Sequence, residues 1–142
     1  MQTHFNVFGE PAEVVLSSEQ TNGHLCIVRQ TVHPGGGPPP HMHTEEDEVF
    51  SAVSGRFELL VNGTWTEIPP GGMLYAPRGS VHTFRNCNDT DSVLQIIATG
   101  GRFDVFLEGL SKFTMPQDIQ AVVDYSLPFG ITYPTLPPPT KA

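Results

Sequence analysis

Apolar residues along this chain recur mostly at every second position, in short runs broken by glycine, proline and Asn-Gly pairs. That is the period of β-strands, whose side chains alternate between two faces. After an irregular lead-in with one or two edge strands, Val14-Val15-Leu16 reads as a strand core. Thr21-Asn22-Gly23 is a turn, because Asn and Gly tolerate positive φ. Leu25–Val32 is a β-rich run interrupted by Arg29, which shares a face with Leu25, Ile27 and Thr31. Residues 33–40 form a Gly/Pro-rich connector whose prolines cannot donate to a ladder, so it serves to position the next strand. Residues 48–53 make a further strand and Gly55 its turn. Phe57–Val61 pairs back, Asn62-Gly63 closes a hairpin and residues 65–68 return, with Trp65 an aromatic of the sheet or of a dimer contact. Pro69-Pro70-Gly71-Gly72 is another break before Met73–Ala76. Residues 93–99 are almost continuously apolar and read as the strand that closes the sheet.

The period changes at Gly100-Gly101. Phe103, Phe106, Leu107 and Leu110 recur at i, i+3, i+4 and i+7, the stripe of an amphipathic helix. Thr114 with Gln117 three residues on, and Pro116 between, predicts a capping box opening a second short helix. Ile119, Val122 and Val123 supply that helix's apolar face, and Gly130 follows its end. Residues 135–142 are proline-rich, expected to be mobile or strapped across a partner. The chain of 142 residues is thus expected to be one domain in three parts: lead-in 1–24, barrel 25–99, and helices with tail 100–142.

Charge narrows the function. A net charge of −8 and a pI near 5.0 argue against nucleic acid as a partner. No apolar run approaches the roughly 20 residues of a membrane span. The opening Met1-Gln2-Thr3-His4-Phe5-Asn6 lacks the basic and apolar regions of a secretory leader. Cys26 and Cys87 need no disulfide framework and read as small buried hydrophobes. The expectation is a cytoplasmic protein.

The candidate chemistry lies in His41, His43, Glu48 and His82. In a strand, His41 and His43 project to one face about 7 Å apart at Cα, whereas a helix would separate them by about 200°. Glu48 is an odd number of residues from His43, so Thr44-Glu45-Glu46-Asp47 must bend for Glu48 to turn inward from the next strand. Glu45, Glu46 and Asp47 read as a solvated turn. His82 comes from a separate strand. Ligands from distant strands converge only if the sheet curls into a small barrel or sandwich. Three imidazoles and a carboxylate suit one divalent transition metal per chain, Fe, Mn, Ni, Co or Zn. Four protein ligands leave two positions open on a six-coordinate ion, as in a catalytic site.

These residues resemble the two motifs of the cupin family. The first reads Gly35, five residues, His41, one, His43, four, Glu48, six, Gly55. The second reads Gly71, five, Pro77, one, Gly79, two, His82, three, Asn86. Every fixed position is filled, with the resemblance covering about residues 25–99. It implies an all-β fold, a cupin jelly-roll β-barrel of six to eight strands, here with a C-terminal α-helical tail. It also implies a metal bound by His41, His43, Glu48 and His82, and a homodimer, often by strand exchange at the N-terminus. The Gly-Gly-Pro-Pro-Pro-His-Met-His run, the acidic Glu45-Glu46-Asp47-Glu48 and the helical tail ending near Phe129-Gly130-Ile131 resemble small bacterial quercetinase-like cupins. In such relatives the ligand glutamate acts as a base, so Glu48 is a candidate catalytic residue as well as a ligand. Gly35, Gly55, Gly71 and Gly79 are backbone pivots, and Asn86 satisfies a turn.

Phe50 and Ala52 share the face of Glu48, and Phe84 that of His82; each is a pocket-wall candidate or ordinary core. Arg29 and Gln95 interrupt apolar strands, and project either into the cavity or outward; Tyr75 is a weaker candidate. His4, His24 and His33 are surface or turn residues. The first functional expectation is a metal-dependent dioxygenase acting on a flavonol-like or other enolisable small molecule. The second is an isomerase, decarboxylase or lyase using the same ion as a Lewis acid. The third is a non-enzymatic small-molecule-binding or sensor cupin, disfavoured by the complete ligand set and the lack of room for a fused domain.

Overall fold

The computed structural model describes residues 2–140. The chain opens with β1 (His4–Val7) and β2 (Glu10–Leu16). It continues through β3 (Leu25–Val32), β4 (His41–His43), β5 (Asp47–Ala52), β6 (Phe57–Val61), β7 (Thr64–Ile68), β8 (Met73–Ala76), β9 (Val81–Asn86) and β10 (Ser92–Thr99). Two helices come next, α1 (Phe103–Leu110) and α2 (Ile119–Ser126), and then the short strand β11 (Ile131–Thr132).

The strands form two antiparallel sheets, ordered β1-β2-β3-β10-β5-β8 and β11-β4-β9-β6-β7. Strands β3 to β10 cross repeatedly between the sheets and make the eight-stranded jelly roll. The hairpin β1–β2 and strand β11 widen it at opposite sheets, beyond the expected six to eight strands. Asn62-Gly63 turns with φ of 48° and 87°, as an Asn-Gly hairpin requires.

Register defines the lumen. Glu48, Ala98 and Cys26 form one inward row across β5, β10 and β3. Phe50, Ile96, Val28 and Val14 form the next; Ala52, Leu94, Gln30 and Ala12 form the third. All residues of these last two rows are buried, and all but Gln30 are apolar. On β3 the inward set is therefore Cys26, Val28, Gln30 and Val32, while Arg29 stands outside with Leu25, Ile27 and Thr31.

The lead-in is more regular than its sequence suggests. Phe8 and Gly9 join β1 to β2 with φ of 51° and 84°, a two-residue turn of both-positive φ in which Phe replaces the usual Asn or Gly. The connector also pairs: Gly35 N–H donates to the Asn86 carbonyl, and Asn86 N–H to the Gly36 carbonyl. The Thr83 hydroxyl donates to the Pro38 carbonyl at 2.6 Å. Asn86 is buried, donating to the carbonyls of Val32 and Thr90 and accepting from Asn88 N–H.

Helix α1 forms on the predicted stripe and buries Phe103, Phe106, Leu107 and Leu110. The predicted capping box does not form. Asp118, not Thr114, precedes α2, and the Asp118 carboxylate accepts the Thr114 N–H at 2.8 Å. The Asp118 carboxylate thus takes the Thr114 N–H that the Gln117 side chain would accept in a capping box, and α2 has no side-chain cap. The proline-rich tail lies against α2 as far as it is described: Thr140 donates to Asp124, and Gln120 to the Pro138 carbonyl. Lys141 and Ala142 of the expected tail lie outside the described residues.

A Cβ at Gly37 would overlap the Phe84 carbonyl oxygen. Gly37→Ala should therefore force the connector off β9 and destabilise the fold by about 1–3 kcal/mol, the usual cost of overpacking. A lowered urea midpoint checks this; an unchanged midpoint would mean that the two segments do not pack so closely.

Candidate metal centre

Three prolines precede β4 and limit it to His41–His43. In this short strand both imidazoles face the lumen. Strand β4 pairs with β9 so that His41 stands opposite His82. On its other side β11 pairs Ile131 with His43. The chain then bends over residues 44–46, with Thr44 N–H donating to Gly130, and Glu48 enters the lumen from β5 of the facing sheet. Donor atoms of His41, His43, Glu48 and His82 all lie within 4.8 Å of one another.

The outward nitrogens fix the rings. His41 Nδ1 faces the Pro39 carbonyl at 2.9 Å, and His82 Nδ1 the Ser80 carbonyl at 3.2 Å. His43 Nδ1 faces the Glu46 carboxylate at 2.7 Å. Each of these partners accepts, so each Nδ1 carries the proton and donates. The Nε2 lone pairs are left pointing inward. His43 Nε2 and His82 Nε2 each lie 3.0 Å from Glu48 Oε1, and all three atoms are buried without a hydrogen-bond partner among the described residues. Three acceptors facing one another in a buried space repel unless a cation lies among them. The residues present therefore fit a divalent ion, and this arrangement of donors is the observation that says so.

The electrostatics agree. Burial pushes the His41 imidazolium down to about 3, with His82 and His43 adding to the effect. Burial opposes ionisation of Glu48, but His43 and His82 outweigh it and hold the carboxyl down at about 2. Burial also disfavours charge on His43, yet Glu48 and Glu46 reverse the balance and raise it. The centre thus attracts positive charge. One proton can satisfy a single nitrogen–carboxylate pair, whereas a divalent ion satisfies all four donors.

Aromatic rings enclose the cluster. Phe50 meets His82 edge-on at 5.7 Å, Phe103 meets His43 at 5.6 Å, and Tyr133 lies 6.2 Å from His41. The donors His41, His43 and Glu48 open onto a largely apolar cavity of about 260 Å³, the scale of a small molecule. Phe50 and Phe84 line it, as the face analysis expected, together with Phe103, Phe106, Leu107 and Leu110 of α1. The helix thereby forms part of the wall.

Four expected wall residues do not line it. Ala52 is completely buried in the third inward row behind the cavity surface. Arg29 and Gln95 are cross-strand partners on the outer face, where Arg29 Nε donates to Gln95 Oε1 at 2.9 Å. Tyr75 is 56% exposed on β8, also outside. Alternation puts Arg29, Gln95 and Tyr75 outside: their inward neighbours are Gln30, Leu94 or Ile96, and Leu74.

Two groups escaped the sequence reading. Glu46, expected in a solvated turn, is 3% exposed and orients His43; a Cβ at Gly101 would overlap its carboxylate. Its only signal was a carboxylate three residues past a ligand. Tyr133 reaches the site through β11, its hydroxyl 2.8 Å from the Ser126 hydroxyl, and nothing local marked it. Of the remaining histidines, His4 pairs with Glu13, His33 with Asp91 and His24 with the Thr21 carbonyl, all near the surface.

The Cupin domain family matches residues 28–98, half of the chain. An uncharacterized protein of Aquifex aeolicus (strain VF5) is 32% identical over 59 residues, 42% of this chain and 49% of that protein. Quercetin 2,3-dioxygenase of Bacillus subtilis (strain 168) is 22% identical over 87 residues, 61% of this chain and 26% of that enzyme. The solved structure of KdgF from Halomonas sp. superposes with a TM-score of 0.60 at 24% identity, covering 68% of this chain and 84% of that one, a likeness of fold. The matches span at most about half the length of these two curated relatives. No helix among the described residues is long and apolar enough to cross a membrane. The family match runs over the strands that carry the three histidines and Glu48, and it settles the kinship: this chain belongs to the cupin family.

Proposed function

We propose that this cupin is a metal-dependent dioxygenase acting on a flavonol-like or other enolisable small molecule. The observation that carries the reading is the set of inward-facing acceptors of His43, His82 and Glu48 at one end of an apolar cavity. A divalent ion held by His41, His43, Glu48 and His82 would supply a Lewis-acidic centre for an enolate oxygen and, if redox-active, an electron path to dioxygen.

The chain's own residues do the rest. Glu48 borders both the cluster and the cavity, which supports the reading that its carboxylate takes the hydroxyl proton of an arriving substrate. Phe50, Phe84 and the face of α1 exclude water from the electron-rich substrate. Glu46 and the carbonyls of Pro39 and Ser80 hold the three imidazoles in one tautomer. The similarity to quercetin 2,3-dioxygenase supports this choice of chemistry.

Elemental analysis should find about one Fe, Mn, Ni, Co or Zn per chain, and His41→Ala should lose it while retaining a β-rich circular dichroism spectrum. Full metal loading of His41→Ala would overturn the ligand assignment. Glu46→Gln should weaken metal affinity about 10–100-fold, the usual effect of removing a partner that orients a ligating histidine. Titration of the apoprotein with the ion checks this, and unchanged affinity would make Glu46 merely structural. Oxygen uptake with flavonols and diketones tests the reaction itself. Substrate consumed at the same rate without dioxygen would replace the dioxygenase reading by Lewis-acid isomerase, decarboxylase or lyase chemistry.

A further inference from the structure

One part of the cavity wall is polar, formed by Gln30 and Glu10. Gln30 is 8% exposed and lines the cavity, and among the described residues its side-chain amide makes no hydrogen bond. Its amide atoms are not among the fully buried unpaired ones, so they reach the cavity space, where an arriving polar group can pair with them. Glu10, 9% exposed, lines the same cavity. Its Oε2 accepts the His33 N–H at 2.6 Å, and the carboxyl makes no other hydrogen bond among the described residues. A Cβ at Gly36 would come within 2.7 Å of that oxygen, so the glycine makes room for the carboxyl.

The two side chains are neighbours by register. Gln30 pairs with Ala12, and Glu10 lies two residues from Ala12 on the same buried face of β2. Such diagonal positions stand roughly 7–8 Å apart, so long side chains can grip one small group between them. Along the strand direction they are displaced from the level of Glu48. Gln30 is four residues along β3 from Cys26, which is level with Glu48 across β10, or roughly 14 Å.

We propose that Gln30 and Glu10 form a second anchor, which holds a hydroxyl at the end of the substrate remote from the metal cluster. A hydroxyl both donates and accepts, so it can pair with the amide and the carboxyl together. A carboxylate would be repelled by Glu10, and a hydrocarbon end would leave Gln30 unpaired. The substrate class is then an aromatic, enolisable molecule with a distal hydroxyl. This rests on the proposed flavonol-type reading and narrows it.

The test uses zinc-loaded protein, since zinc has no redox chemistry and allows binding without turnover. Affinities are measured for 3-hydroxyflavone and for its 4′- and 7-hydroxylated derivatives. The wild type should bind at least one hydroxylated derivative about tenfold more tightly than 3-hydroxyflavone, the value of one well-made hydrogen bond. Gln30→Leu should abolish the preference while keeping its zinc, with 3-hydroxyflavone bound no more weakly than by the wild type. Gln30→Met, which keeps the side-chain length, should do the same if Gln30→Leu does not fold. Equal affinities in the wild type, or a preference that survives both substitutions, would overturn the second anchor and leave the flavonol reading standing. Zinc-loaded wild type that binds none of the three would sink both together.

Discussion

Everything in this fold that bears on function depends on one electrostatic constraint: buried lone pairs that face one another need a cation between them. His43 Nε2, His82 Nε2 and Glu48 Oε1 meet without hydrogen bonds because each ring's other nitrogen is already committed to an outward acceptor. Rotating a ring to relieve the repulsion would break that outer bond and leave a second buried group unpaired. The arrangement is therefore stable only when positively charged. Its cost as a bare cluster is the physical reason to regard it as a metal centre and not a polar core.

The surrounding architecture serves that convergence. The prolines before β4 confine it to three residues, and its pairing with β9 sets His41 opposite His82. The facing sheet must then supply Glu48, which it does because the chain bends at once after His43. That bend buries Glu46 against His43, in space that exists only because Gly101 has no side chain. Strand β11 closes the outer edge of β4 and carries Tyr133 to the cluster. Helix α1, remote in sequence from both motifs, lays its apolar stripe on the cavity.

The fold itself is neutral about chemistry, since one barrel with one ligand set can host oxygenation or Lewis-acid catalysis. What distinguishes members is the wall. Here it is aromatic and apolar near the metal cluster, with a polar patch at Gln30 and Glu10. On the proposed reading such a wall would suit a largely apolar substrate with one polar end, and not a small, uniformly charged one.

Most barrel strands, the Asn-Gly turns and the candidate ligand set were legible in the order of residues alone, whereas the Phe8-Gly9 turn and β11 were not. Alternation, Asn-Gly pairs and glycine positions are local, and the motif spacing from Gly35 to Gly55 and from Gly71 to Asn86 is read directly. The amphipathic stripe of α1 was equally legible, because a period of 3.6 residues needs no partner to be seen. Which face of a strand points inward was not legible wherever both faces are apolar. On β3, Leu25, Ile27 and Thr31 alternate with Cys26, Val28 and Val32, so Arg29 and Gln30 were equally eligible for the lumen. Only pairing with β10 and the closure of the second sheet put Gln30 inside and Arg29 against Gln95 outside. Glu46, Tyr133 and the wall from α1 were hidden for the same reason. Their roles arise from contacts between segments far apart in the chain, and tertiary packing alone brings those segments together.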